Sequence, residues 1–218
     1  MKKTLLLFMA LWFLFPAGGR VFAEGDETPK ILPEAKKEFL IQVEKNLQTA
    51  RTIQSKFTQE KHLSLFNDAL VSRGLFAFEA PDRLRWEITS PFHSLLLMKG
   101  REVTKYDFPD GKNPRQLQLP AASALSEVLN QIADIHQGKF SEEEKNYDIQ
   151  MDEGKTLILV PKNPRMRKMV SRIEIGFSPS LDSIESVVIR ENGGDFTRIV
   201  FENDRRNPTL PDSLFSIP

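Results

Sequence analysis

Cysteine is missing from all 218 residues of the chain. No disulfide can staple the fold and no thiolate can receive a lipid at the N-terminus, so stability must rest on a hydrophobic core. Histidine is scarce too: His62, His93 and His136 are widely spaced, of unlike local character, and read as surface residues rather than a metal-ligand cluster. Long apolar runs are equally few. Beyond Phe22 no wholly aliphatic run is longer than Leu95-Leu96-Leu97-Met98, far short of the roughly 20 residues that cross a bilayer as a helix. No excess of either charge exists: 30 Lys and Arg face 30 Asp and Glu, a balance that argues against a nucleic-acid partner. Internal repeats and low-complexity tracts are lacking as well.

Catalytic and cofactor motifs are wanting in the same way. Gly176-Phe177-Ser178-Pro179-Ser180 resembles a nucleophile elbow but lacks its second glycine and stands at a strand end, where a turn is the better reading. Asp107, Asp110 and Gly111 lack the alternating oxygen ligands and closing glutamate of a calcium loop, and read as a hairpin turn. Glu142-Glu143-Glu144 after Ser141 suggests a capping box on a short helical turn with solvated charges. No P-loop or dinucleotide glycine motif occurs. The expectation is therefore no catalytic residue, no metal and no cofactor.

What is present begins with residues 1–23. Lys2 and Lys3 precede the apolar run Leu5 to Phe15, which leads to Val21-Phe22-Ala23. These are the parts of a cleavable signal peptide, with cleavage expected after Ala23 and export to follow. Loss of Lys2, Lys3 and Arg20 leaves the remainder mildly acidic. Residues 24–32 are polar and read as a flexible lead-in, and 33–218 suit a single domain.

Within that domain Pro33 opens a helix in which Phe39, Leu40, Val43 and Leu47 recur on one face, ending near Ala50. The period then falls to two. Phe57 sits between Lys56 and Thr58; Phe76 and Phe78 alternate with Leu75 and Ala77; Leu84, Trp86 and Ile88 alternate with Arg83, Arg85 and Glu87. Further strands are expected at 94–99, 102–107, 116–119, 147–151, 156–160, 170–177, 186–190 and 195–201, about ten in all. Glycine- and proline-containing turns such as Pro109-Asp110-Gly111 and Asn192-Gly193-Gly194 separate them. One helix interrupts the series: Leu125, Val128, Leu129, Ile132 and Ile135 trace an apolar stripe from Ala121 to Gln137, with Gly138 placed to stop it. The pattern is mainly β with α, a strongly curved antiparallel sheet with helices against its concave face.

Three stretches taken together resemble the periplasmic lipoprotein carrier family, the LolA-like proteins of Gram-negative bacteria. They are Ile53-Gln54-Ser55-Lys56-Phe57-Thr58-Gln59; Gly74 to Phe78 followed by Pro81 to Glu87 and Pro91; and Gly194 to Phe201 with Asn203, Asn207 and Leu214-Phe215. The resemblance implies an incomplete, unclosed antiparallel β-barrel whose open side is covered by helices acting as a lid over a hydrophobic cavity. It implies a monomeric periplasmic carrier of acylated lipoproteins, loaded by an inner-membrane ATP-driven release complex and unloaded by an outer-membrane receptor. Family members often carry an arginine before the proline of the second stretch that holds the lid closed. Here that position is Ala80, and alternation puts Arg83 and Arg85 on the face opposite Trp86.

The cavity candidates are Phe57, Phe76, Phe78, Leu84, Trp86, Ile88 and Met98, and the lid candidates Leu125, Val128, Leu129 and Ile132. Flat and adaptable side chains suit an imperfect pocket that beats water yet releases its cargo. Two other readings remain: a carrier of another exported lipid or glycolipid, and a non-catalytic protein-binding or sensory module of the same fold.

Overall fold

The computed structural model describes residues 33–100, 102–118 and 131–217. Residues 1–32, including the expected signal peptide, lie outside that set. Pro33 begins α1 (Pro33–Leu47), where its missing N–H and fixed φ suit a first helical turn. Phe39, Leu40, Val43 and Leu47 are buried along one face. The helix ends where the Arg206 guanidinium donates to the carbonyls of Asn46 at 2.9 Å and Leu47 at 3.3 Å, a cation placed against the negative end of the helix dipole.

The strands are β1 (Thr52–His62), β2 (Leu70–Glu79), β3 (Arg83–Ser90), β4 (Ser94–Lys99), β5 (Glu102–Asp107), β6 (Arg115–Gln118), β7 (Tyr147–Met151), β8 (Leu157–Pro161), β9 (Val170–Phe177), β10 (Ile184–Glu191) and β11 (Phe196–Arg206). Every pairing is antiparallel, in the order β6-β5-β4-β3-β2-β1-β11-β10-β9-β8-β7. The chain thus runs outward from β1 to one margin, restarts at the other, and returns until β11 lies against β1. Margins β6 and β7 are not paired with each other. The sheet is an unclosed barrel.

Among the described residues it is accompanied by the helical segments α2 (residues 131–136), α3 (Phe140–Glu143) and α4 (Pro164–Arg167), with a 3-10 turn at Asp212–Phe215. Gly138 follows α2 with φ +64°, and a Cβ on it would stand 3.0 Å from Leu47 Cβ and 3.1 Å from the Glu44 backbone. Glycine is needed there both to turn the chain and to let α1 approach.

Two details differ from expectation. The sequence pattern ends the last strand at Phe201, but β11 continues to Arg206 because pairing of Arg205 with Gln54 and Arg206 with Ile53 holds its wholly polar end. A register slip between Gln54 and Lys56, with Asn203 at φ +56°, marks a bulge within it. In α3, Lys139 rather than Ser141 occupies the N-cap and no side chain caps it. The Ser141 N–H instead donates to Glu44 Oε1 at 2.5 Å. Glu143 is buried rather than solvated and accepts from Asn146 Nδ2 at 3.0 Å, on a helix that packs against α1.

Candidate apolar binding face

Directly paired residues of antiparallel neighbours share a face, so the register writes out the concave surface as rows. One row is Ile53, Phe78, Leu84, Met98 and Val103; the next is Ser55, Phe76, Trp86, Leu96, Lys105 and Leu117; a third is Phe57, Gly74, Ile88, Ser94, Asp107 and Arg115. All seven cavity candidates therefore lie on one surface. Phe57, Phe76, Phe78, Leu84, Trp86 and Met98 are buried, while Ile88 is half-buried and packed against them. Of the lid candidates, Ile132 packs against the same cluster, whereas Leu125, Val128 and Leu129 lie outside the described residues.

The rings interlock at this surface. Phe57 lies 4.1 Å from Trp86 between ring centroids, Phe76 meets Trp86 at 5.9 Å edge-on, and Phe201 closes on Phe76 at 5.6 Å. Gly74 makes the first contact possible. A Cβ there would stand 2.5 Å from the Phe57 ring and 2.0 Å from the Glu87 carbonyl oxygen, so the ring lies across a bare strand.

Residues from the other half of the sheet extend the surface with aliphatic chains. Ile149, Leu159, Ile173 and Ile189 form one row, and Met151, Leu157, Ile175, Val187 and Ile199 another. The candidates drawn from sequence all fell between β1 and β4. The alternating Ile173 and Ile175, and Val187 and Ile189, carried the signal for the rest.

His136 is a correction to the surface reading. It is buried at the end of α2, 4.6 Å from the Phe76 ring and 5.3 Å from that of Phe201. Its Nδ1 lies 2.8 Å from the Ile132 carbonyl oxygen, which can only accept, so Nδ1 carries the proton. Burial pushes its pKa down from 6.5 to about 4, against the smaller opposing effect of that hydrogen bond. The next residue, Gln137, donates to the Pro81 carbonyl at 3.1 Å. A tie thus joins the covering helix to the turn beside Ala80, supplied from the helix side.

The convex face of the same strands is different. Arg85 and Glu87 point away from Trp86, as alternation required, yet both are buried. Arg85 donates to Glu87 Oε2 at 2.8 and 3.0 Å and to the Leu214 carbonyl at 2.8 Å, and His93 Nε2 meets Glu87 Oε1 at 2.8 Å. Arg83 lies 4.3 Å over the Phe215 ring. Leu95, Tyr106 and Phe108 form a second small core on this side, where His93 stacks on Phe108 at 4.0 Å.

The weak motifs prove to be turns. Ser178 Oγ donates to Asp182 Oδ1 at 2.9 Å and accepts from the N–H groups of Asp182 and Ser183 at 3.2 Å. Asp110 accepts from the Asn113 and Lys112 backbones and the Asn113 side chain, which pull its pKa down to about 2. Among the described residues no group of three His, Cys, Asp or Glu is placed to hold a metal, and no helix is long and apolar enough to cross a membrane.

Residues 48–218 match the model of one protein family, described as outer membrane lipoprotein carrier protein LolA. The chain belongs to this family. Relatives of this LolA family member include the outer-membrane lipoprotein carrier protein of Dechloromonas aromatica, 25% identical over 171 residues covering 78% of each chain. That of Methylococcus capsulatus is 28% identical over 178 residues, again covering 78% of each. Among solved structures, the LolA superfamily protein NE2245 from Nitrosomonas europaea is 14% identical with a TM-score of 0.46, covering 83% of this chain and 97% of that one.

Proposed function

We propose that this protein is a non-catalytic, monomeric periplasmic carrier that shelters the acyl chains of lipoproteins against the concave face. The single observation that supports this most is the covering of that face. A mostly apolar surface is covered by the helices α1 and α2, rather than by a second sheet, and joined to them largely by non-directional contacts among Phe76, His136, Phe201 and their neighbours. An acyl chain replaces such contacts without leaving polar groups unpaired. Cargo passes from an inner-membrane ATP-driven complex to an outer-membrane receptor, as the family resemblance implies.

Energetics require the cover to compete with the cargo. A chain of about sixteen carbons fully withdrawn from water gains roughly 12 kcal/mol, which would make release too slow. Part of that gain is spent in parting α2 from Phe76 and Phe201, so the loaded and empty states lie close enough to exchange. In the described state the aromatic rings are in contact, and loading therefore needs movement of the helical cover.

The test uses the exported protein and a fluorescent fatty-acid probe, with bound lipid identified by mass spectrometry. Wild type is expected to bind the probe and to carry acylated material from cells. Trp86→Glu, checked for folding by circular dichroism, is expected to lose binding entirely, since a carboxylate would be buried among rings. Unimpaired binding by the folded variant would sink the proposed site.

A further inference from the structure

One pair of charges interrupts the apolar concave face. Lys105 follows Leu96 in the row that contains Phe76 and Trp86, and Asp107 follows Ser94 in the row that contains Phe57 and Ile88. Both side chains thus belong to the same surface as the aromatic cluster, one strand beyond its last apolar members and one strand from margin β6. Lys105 is 2% exposed, more deeply buried than Trp86, and its ammonium lies 2.8 Å from Asp107 Oδ1 and 2.9 Å from Oδ2. Ser94, also buried, adds a hydroxyl beside them.

Withdrawing an ammonium from water costs several kcal/mol, and Asp107 repays it only in part. An ammonium has three N–H donors. Asp107 is its partner among the described residues, which leaves donor capacity inside a face otherwise built of hydrocarbon. The pair has no net charge. Arg115, across from Asp107 on β6, is exposed and its charge is screened by water. A second carboxylate brought here would be repelled by Asp107, whereas an uncharged carbonyl oxygen accepts from the ammonium without that penalty.

Resting on the carrier reading above, we propose that Lys105 and Asp107 form a head-group station at the β4–β6 side of the concave face. It takes the ester or amide carbonyl that joins an acyl chain to its head, while the chain lies along Leu96, Trp86 and Phe76. The station reads how the chain is attached and fixes which end of the cargo faces margin β6. A free carboxylate head is disfavoured there by the Asp107 carboxylate.

Trp86 supplies the readout. The chain has 2 tryptophans, Trp12 and Trp86, so once residues 1–23 are removed all indole emission comes from the concave face. The exported protein is titrated with three compounds of one chain length: a methyl ester, a free carboxylate and a plain hydrocarbon. Wild type is expected to bind the ester about tenfold more tightly than the hydrocarbon, the value of one hydrogen bond to a charged donor. It is expected to bind the carboxylate more weakly than the ester.

Lys105→Met should bring the ester-to-hydrocarbon ratio to about one, and Asp107→Asn should raise carboxylate affinity about tenfold by exposing an uncompensated ammonium. An unchanged ratio in Lys105→Met, or no gain of carboxylate binding in Asp107→Asn, overturns the station while leaving the carrier intact. Should Lys105→Met not fold, the wild-type ratio and Asp107→Asn decide. Wild type that binds none of the three compounds removes the carrier reading itself, and the station with it.

Discussion

On one side of β3 stand Leu84 and Trp86, in the buried cluster they share with residues of α1 and α2, and on the other Arg85 and Glu87 beside the 3-10 turn of residues 212–215. Both sides are buried, by opposite means. The concave side is held mostly by ring and aliphatic contacts that have no required direction, with few hydrogen bonds such as Gln137 to Pro81 and Tyr147 to Gln131. The convex side is held by charge-assisted hydrogen bonds, Arg85 to Glu87 and Leu214, Glu87 to His93, whose geometry tolerates little change. A sheet that must exchange partners on one face gains from being fixed on the other. In the proposed carrier, rigidity behind Trp86 would let α2 part from Phe76 without the strands following.

The sharpest way to break that comparison is Arg85→Ala. It leaves Glu87 buried and strips the Leu214 carbonyl of its donor, and is expected to lower the unfolding free energy by about 3–5 kcal/mol, seen as a fall in the urea midpoint. Replacing both partners by apolar residues, Arg85→Met with Glu87→Leu, should recover much of the loss. If Arg85→Ala unfolds like wild type, the convex face is not a brace.

Acid probes the other side. The His136 pKa lies at about 4 in the folded state, below its ordinary 6.5. Between these values the unfolded or uncovered state takes up a proton that the buried ring refuses, so stability is fully present above pH 6.5 and is lost as pH falls toward 4. The loss amounts to about 3 kcal/mol. His136→Leu should flatten the pH dependence of the thermal midpoint over that window, and a profile that keeps its slope would place the acid sensitivity elsewhere.

A smaller effect is expected of Gly74→Ala. Its Cβ would press on the Glu87 carbonyl and the Phe57 ring at 2.0 and 2.5 Å, so β2 and β3 must part locally and Phe57 must leave Trp86, at a cost of about 1–3 kcal/mol. A shift of Trp86 emission should accompany it. Emission and stability both matching wild type would show that the ring contact is incidental.

A second contrast concerns what could be read beforehand. The strands of the first half, with Phe76-Ala77-Phe78 and Leu84-Arg85-Trp86, alternate so plainly that the face shared by the seven candidate residues was legible, while their register across strands was not. Leu157-Ile158-Leu159-Val160 in β8 is a continuous aliphatic run, so its two faces were indistinguishable until pairing with β7 and β9 assigned Leu157 and Leu159 to the concave side. His136 was misread for a different reason. A lone histidine after a helical stripe carries no mark of burial, and only the approach of Phe76 and Phe201 from distant strands encloses it.

Local chemistry was enough to determine where most elements begin and end: Pro33 starts α1, Gly138 ends α2, and Asp110 and Ser178 organise turns. Those signals act between near neighbours along the chain, so sequence carries them whole. What joins β11 to β1, puts the Leu214 carbonyl on Arg85, and sets Lys105 in the row of Trp86 is contact between residues far apart in the chain. Such contacts exist only once the sheet has curved, because register across strands, not spacing along them, decides which side chains share a surface.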